Sequence, residues 1–379
     1  MPLVLTDEQE MMRDSARGFL AEHAPIAHFR KIRDSRDPLC FSRDLWKTMA
    51  EMGFAGVLVP EAFGGVGLGY VEAGIILEEA GRTLTPSPML STALVAVTVL
   101  ARFASEAQKT ALLPGIAKGE RIVSLAVDEG AKHKPEGIAL SAKRAGNGFR
   151  LDGRKGFVLD GAAADTLIVA ARTAGAPGET AGITLFLVDA KAKGVTAEQT
   201  IMVDNRNAAR FTFEGVEVDG GAVIGEVDGG WAALEAGLNA GRAGAAAELV
   251  GAGGEVFERT VTYVRERKQF GKLIGEFQAL QHRLAHLYTE MEIARAASLK
   301  ALQMLDEKPD AAGPYVALAK AKTGEIARLA SQEGVQMHGG MGMTDDLDFG
   351  IFMKKIRVTQ EIFGDANFHT DRIARLRGY

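Results

Sequence analysis

Asp365 lies in QEIFGDANFHT (360–370), an acid that follows a glycine and precedes small, polar and aromatic residues. A carboxylate in that position has two chemistries open to it. Desolvated in a pocket, with its pKa raised from about 3.9 toward neutrality, it removes a proton from a substrate. Left in a turn, it caps the helix that follows, and Gly364 supplies an unusual backbone angle. Two other stretches suit phosphate. In YVRERKQFGKLIGEFQALQHRLAHL (263–287), Arg267 has a permanent charge and a forked donor set that match a pyrophosphate. Gln278 and Gln281 are three apart, on one helical face, and can bond the polar edge of a bound group. In QMHGGMGMTDD (336–346), Gly339 and Gly340 let backbone N–H groups approach phosphate, and Gln336 offers both a donor and an acceptor. Taken singly, Arg267 reads equally well as a solvated helix charge and the glycines as a helix C-cap. His338 is expected to be a hydrogen-bonded structural residue.

These residues need a large scaffold. At roughly 100–200 residues per domain, a chain of 379 predicts two or three domains. Hydrophobic residues make up 47% and charged residues 25%, an ordinary globular balance. With 44 basic and 49 acidic side chains the formal net charge is -5, and no Lys/Arg block stands out; nucleic-acid binding is not expected. The single cysteine, Cys40, excludes an intrachain disulfide and a Cys-based metal cluster, and it fits a reducing, cytoplasmic location. MPLVLTDEQEMMRDSARGF lacks a basic segment followed by an apolar one, so no secretory leader is expected. The longest uncharged stretch, 83–101, contains Pro86 and Pro88 and predicts a loop entering a buried helix rather than a membrane span.

Three compositional zones follow. Residues 1–118 read as a helical domain, with Thr6 and Gln9 spaced as a capping box and PEAFGGVGLGY (60–70) as a loop before another amphipathic helix. Residues 119–226 read as an antiparallel β-domain, sandwich or barrel: RIVSLAV, TLIVAAR, GITLFLVDAK and RFTFEGVEV are short, rich in β-branched and aromatic residues, and bounded by turn residues. Residues 227–379 return to helix, rich in Ala and Gly at spacings that let helices approach closely. The order excludes a doubly wound nucleotide fold, and GGVGLG (64–69) is not a dinucleotide fingerprint because no strand-turn-helix unit surrounds it.

R-x-x-F-G-K, then Q-x-x-Q, then Q-x-H-G-G-x-G, within this zone order, resembles the acyl-CoA dehydrogenase family over essentially the whole chain. The resemblance implies an α+β multidomain fold: an N-terminal helical domain, a middle antiparallel β-domain and a C-terminal four-helix-bundle domain. It also implies FAD held between the β-domain and the bundle, with part of each site coming from a neighbouring subunit of a homotetramer or heterotetramer. The implied reaction oxidises an acyl-CoA thioester to the 2,3-enoyl-CoA, in fatty acid or steroid side-chain catabolism, with an electron-transfer flavoprotein as the usual reoxidant. Phe270 would then pack on the adenine, while Arg267, Gln278, Gln281, Gln336, Gly339 and Gly340 would bind the rest of the cofactor. Asn239 occupies the place where the family often binds the pantetheine arm.

The sequence departs from the pattern where the flavin ring and the base belong. In VDEGAKHKPEG (127–137) Val127 replaces a hydroxyl that would bond the flavin, and His133 stands where a serine contacts phosphate. In GFVLDG (156–161) Phe157 keeps the aromatic that lies on the ring, but Leu159 replaces a threonine. Two lost hydrogen bonds at roughly 0.5–1.5 kcal/mol each weaken binding without forbidding it. Phe363 matches the aromatic before the family's usual glutamate, so Gly364 takes the glutamate's place and Asp365 comes one residue late. The other family location, just before an arginine that matches Arg242, holds Gly241. Glu248 is seven residues along the same helix, roughly 10 Å at 1.5 Å per residue, too far to substitute. Three readings stay open: Asp365 as the base, beside Arg242, as in the nitroalkane oxidase branch; Asp365 as a cap; or a partner chain that supplies the glutamate, as in heteromeric acyl-CoA dehydrogenases. A flavin oxidase or monooxygenase on the same scaffold is the remaining alternative.

Overall fold

The computed structural model describes residues 2–379. Along the chain come helices α1 (Asp7–His23), α2 (Ile26–Ser35), α3 (Arg43–Glu51), α4 (Tyr70–Arg82), α5 (Val97–Phe103) and α6 (Glu106–Ala117). Strands β1 (Val123–Ala126), β2 (Ser141–Ala145), β3 (Gly148–Leu159), β4 (Thr166–Arg172), β5 (Ile183–Asp189), β6 (Val195–Ile201), β7 (Asn207–Asp219) and β8 (Val223–Ile224) follow. The rest is α7 (Trp231–Glu266), the hairpin β9 (Lys268–Gln269) and β10 (Lys272–Leu273), α8 (Gln278–Glu307), α9 (Gly313–His338), α10 (Phe349–Glu361) and α11 (Ala366–Leu376). The helical, β and helical order expected from composition is the order observed.

Contacts group the chain into two compact units. The first comprises Met1–Arg30, Tyr70–Thr85 and Arg242–Tyr379. Its start is set locally: the Thr6 hydroxyl accepts from the Gln9 amide, and the Gln9 side chain accepts from the Thr6 amide, closing the capping box that begins α1. Tyr70 and Val71, in the first turn of α4, donate their amides to the Asp306 carboxylate near the end of α8, at 2.7 and 3.1 Å. The core packs Ile26, Phe29 and Leu84 against Leu249 and Val256 of α7, Leu287 and Met291 of α8, Ile326 of α9, and Phe349, Phe352 and Ile356 of α10. Small residues do what their spacing predicts. A methyl group on Gly251 would come within 1.8 Å of the Glu78 carbonyl, and one on Gly81 within 2.3 Å of the Glu248 carbonyl, so α4 and α7 touch backbone to backbone. Charges frame the core: Glu79, 2% exposed, takes a two-point bond from Arg17, and Asp348 receives both Arg30 and Arg259.

The second unit comprises Lys31–Gly69 and Pro86–Gly241. Its eight-stranded sheet runs β6-β7-β3-β2-β4-β5-β8, with β1 beside β4. Pairing is antiparallel except where β1, and one residue of β2, lie parallel to β4. Fully buried β4 (TLIVAAR) and alternating β7 match their sequence patterns. β3 pairs with β7 through two register shifts, Leu151/Gly153 and Lys155/Val158, and the second contains Phe157. A shift of this kind re-aims the side chains it carries. Pro86 and Pro88 lead into a buried π-helical stretch, Met89–Ala96, whose Thr92 hydroxyl bonds both the carbonyl and the amide of Val123 in β1. The run GGVGLG folds on itself, with the amides of Val66, Gly67 and Leu68 bonded to carbonyls of Gly56, Val59 and Val57.

Gly251→Ala tests the backbone contact. Overpacking at this approach should lower stability by about 1–3 kcal/mol, although Ala favours an isolated helix over Gly by about 1 kcal/mol. A thermal unfolding midpoint at or above that of the unmodified chain would show that the two helices do not touch there.

Candidate functional site

One end of the first unit gathers most of the motif residues. Val264 of α7, Ile274 beyond the hairpin and Met337 of α9 form a small apolar cluster, with Tyr263, Phe277, Leu280 and Leu284 packed against it. The cluster ties together the chain segments that carry Arg267, Phe270, Gln278, Gln281, Gln336, Gly339 and Gly340. All seven are exposed. Arg267 is anchored by its backbone, its amide to the Tyr263 carbonyl at 2.9 Å and its carbonyl to the Ile274 amide at 2.8 Å, and its side chain is exposed. Phe270 and Gly271 make the hairpin turn with φ of +55° and +81°. A left-handed phenylalanine is strained, and here its ring stands 90% exposed. The Gln281 side chain donates from Nε2 to the Gly275 carbonyl at 2.9 Å, fixing the start of α8.

Gly339 ends α9 with φ +59° and ψ -140°, a combination open in practice only to glycine. A Cβ on Gly339 or Gly340 would meet nothing within 4 Å, so backbone is presented to open space. The end of a helix is the negative pole of its dipole. Any phosphate here therefore relies on Arg267 and the glycine turn rather than on α9. His338 stacks between Tyr263 and Phe349, each ring centroid 4.0 Å away, and its Nδ1 lies 2.7 Å from the Gly334 carbonyl. Burial pushes its pKa below the ordinary imidazole range, against the pull of that bond, and its place is structural as expected.

Asp365 is the N-cap of α11: its Oδ1 accepts from the Phe368 amide at 2.8 Å. Gly364 before it has φ +105°, and a Cβ added there would lie 2.4 Å from the Phe368 ring and 3.1 Å from His369 Nε2. The position aligned with the family's glutamate therefore has neither the backbone angle nor the room for a side chain. Arg242 is wholly buried, 5.6 Å over the Phe368 ring, with Nε reaching the Phe363 carbonyl at a long 3.4 Å. Glu248 is buried and ion-paired with Lys355 at 2.7 Å. Asn239 lies one turn before Arg242 on α7, 7% exposed.

In the second unit the loop after β1 is bonded to its own unit. His133 is buried, with Nδ1 2.9 and 3.0 Å from the two Asp128 carboxylate oxygens. Lys155 of β3, 0% exposed, donates to the Val127 carbonyl at 3.0 Å and to Glu129 Oε1 at 2.7 Å. Burial pushes the Lys155 pKa down, and Glu129 opposes it. Glu129 in turn accepts from the Ala139 and Leu140 amides. The side chains of Val127 and Leu159 are apolar and buried, whereas Phe157 is only partly covered. Lys155 and Glu129 escaped the sequence reading because a charged pair closed by a loop has no fixed spacing. Lys320 of α9, buried beside the Asp365 turn, escaped it too, although Val316, Thr323 and Ala327 at helical spacing place it on the apolar face.

A cavity of about 400 Å³ lies in the first unit among α1, α4 and α8, lined by Ile75, Leu299, Arg17 and Arg295. It contains none of the motif residues, and its Arg17 and Arg295 are paired with Glu79 and Glu78.

Comparison with known proteins places these features. Family models described as acyl-CoA dehydrogenase N-terminal, middle and C-terminal domain match residues 6–120, 127–216 and 228–376. The mitochondrial isovaleryl-CoA dehydrogenase of Pongo abelii is 30% identical over 366 residues, 93% of this chain and 85% of that protein. A solved variant of the Tcur3481-Tcur3483 steroid ACAD superposes with a TM-score of 0.88 at 29% identity, over 98% of both chains. The ChsE4-ChsE5 complex from Mycobacterium tuberculosis gives a TM-score of 0.89 at 25% identity over 100% of both. Its relatives are oxidoreductases, and with all three domains matched in order, the chain belongs to the acyl-CoA dehydrogenase family.

Proposed function

We propose that this chain is a flavin-holding subunit of an acyl-CoA dehydrogenase that converts an acyl-CoA thioester to the 2,3-enoyl-CoA, while a related chain supplies the carboxylate that takes the α-proton. The Gly364 geometry carries the reading. A glutamate there would need a backbone angle that L-residues rarely adopt and would drive its Cβ into Phe368. Asp365 meanwhile is engaged in capping α11. Proton transfer needs a group within roughly 2.6–3.2 Å of its target, which neither position offers from its present backbone and bonding. The solved relatives named as a two-chain steroid ACAD and as the ChsE4-ChsE5 complex support an assembly of unlike subunits.

FAD fits the residues present at the bundle end. Arg267 would hold the diphosphate with its guanidinium, and the open backbone at Gly339 and Gly340 would let that group approach. Phe270 would cover the adenine, and Gln278, Gln281 and Gln336 would bond polar edges. In the second unit Phe157 would lie on the ring system, with Val127 adding apolar contact only, and His133 is committed to Asp128. Bound FAD supplies the hydride acceptor. Asn239 would position the pantetheine arm of a fatty acyl or steroid side-chain thioester. The assembly is a tetramer in a reducing, cytoplasmic compartment, and an electron-transfer flavoprotein takes the electrons. Among the described residues no helix is long and apolar enough to cross a membrane.

Three outcomes test this. The chain purified alone should be yellow yet should not bleach anaerobically with a panel of acyl-CoA thioesters; co-expression with a glutamate-bearing homologue should confer bleaching. Bleaching by the lone chain overturns the division of labour. Asp365→Asn, an equally good cap, should leave both folding and turnover of the assembly unchanged; loss of proton abstraction with flavin retained would make Asp365 the base. Arg267→Met should weaken FAD retention about ten- to a hundredfold, the equivalent of one charge-assisted bond at about 1.5–3 kcal/mol, as read by fluorescence of released flavin.

A further inference from the structure

The turn between α10 and α11 is held from below. Lys320, 1% exposed, donates from Nζ to the Gln360 carbonyl at 2.8 Å and the Gly364 carbonyl at 3.1 Å. The preceding carbonyl, of Phe363, is approached by Arg242 Nε at 3.4 Å and His369 Nε2 at 3.1 Å. Three basic side chains, from α7, α9 and α11, thus converge on two successive carbonyls. Both residues of that turn are left-handed, Phe363 at φ +59° and Gly364 at φ +105°. A left-handed phenylalanine relaxes unless its surroundings hold it. A leucine at 320 would fill the same space but donate nothing to the turn.

We propose that Lys320 is the positioning residue of the Phe363–Gly364–Asp365 turn, fixing its two left-handed residues so that the Asp365 carboxylate stays on the Phe368 amide and position 364 stays closed to a side chain. This rests on the reading above that the turn is where the family's base belongs. Lys320 acts through the turn and touches no reacting atom. Its setting is also proton-linked. Burial pushes its pKa down from the ordinary 10.5 to about 7; Glu361 of α10 pulls it up, Arg242 of α7 pushes it further down, and Asp365 of the turn pulls it up.

Amide exchange on the full chain tests the proposal without flavin or thioester, so its failure is distinct from failure of the functional reading. The Phe368 amide bonds the Asp365 side chain, and the His369 amide bonds the Asp365 carbonyl. Lys320→Met should reduce protection at these two amides at least tenfold and leave amides of the β4–β5 pair unchanged. Lys322→Met, on the same helix as Lys320, removes an ion pair with Glu290 of α8 and should change neither. If Lys320→Met does not fold, Lys320→Gln keeps one donor and should give a smaller loss confined to the same amides. Unchanged protection, or a uniform loss across the unit, overturns the proposal. The pH dependence gives a second arm. The folded amine releases its proton near 7 and the unfolded one near 10.5, so the unfolded chain binds the extra proton between those values. Stability of the unmodified chain relative to Lys320→Gln should therefore rise with pH across that window, approaching about tenfold in the folding constant per pH unit. A flat difference counts against an amine buried under the turn.

Discussion

A carbonyl oxygen taken out of water has to be bonded, and where a helix stops its last carbonyls lose their partners. At the end of α10 this constraint falls on Gln360, Phe363 and Gly364, and it is met by side chains from three other helices. Lys320 and Arg242 reach the turn with long side chains from α9 and α7, His369 reaches it from α11 nearby, and all three are buried. Much else follows from the arrangement. The turn is left-handed at two residues, α11 begins where Asp365 can cap it, and Phe368 packs under Arg242 in the space a side chain at 364 would need. Placing a carboxylate side chain at 364 is thus more than one substitution away, since backbone angle, cap and packing all oppose it.

The two sets of residues proposed to hold the cofactor differ in how far they are bonded within the chain. At the bundle end they are exposed and held mainly through their backbones, and their side chains look outward. In the β-containing unit the equivalent loop is bonded inward: His133 to Asp128, and Lys155 to Glu129 and the Val127 carbonyl. Under the proposed function, the diphosphate and adenine would be gripped in the ordinary family manner while the ring system would be held more by shape than by hydrogen bonds. Such a site would favour flavin whose position is settled by the assembly as a whole.

Much of the fold was legible because it rests on periodic patterns. The alternation of RFTFEGVEV appears in the burial of β7, Thr6 and Gln9 form the capping box their spacing announced, and the Ala/Gly-rich stretch becomes a helix in backbone contact with another. The segments that carry Arg267, Gln278 and Gly339 each lie within a short run that the sequence singles out, and one apolar cluster brings those segments together. Features closed by distant residues were not. Nothing local distinguishes buried Lys320 from Lys322, which pairs with Glu290, except the helical face each occupies. The Asp128–His133 pair needs the loop to close, and the Thr92 hydroxyl meets Val123 of β1 from 31 residues away. That Asp365 comes one residue late was plain in the sequence; that Gly364 cannot simply be filled required the φ angle.

Phe270 stands almost fully in water at the tip of the β9–β10 turn, where its ring meets the edge of Phe277 at a centroid distance of 6.1 Å. Under the proposed function, bound adenine would cover that ring, so occupancy of the cofactor would also set how much apolar surface the chain leaves in water.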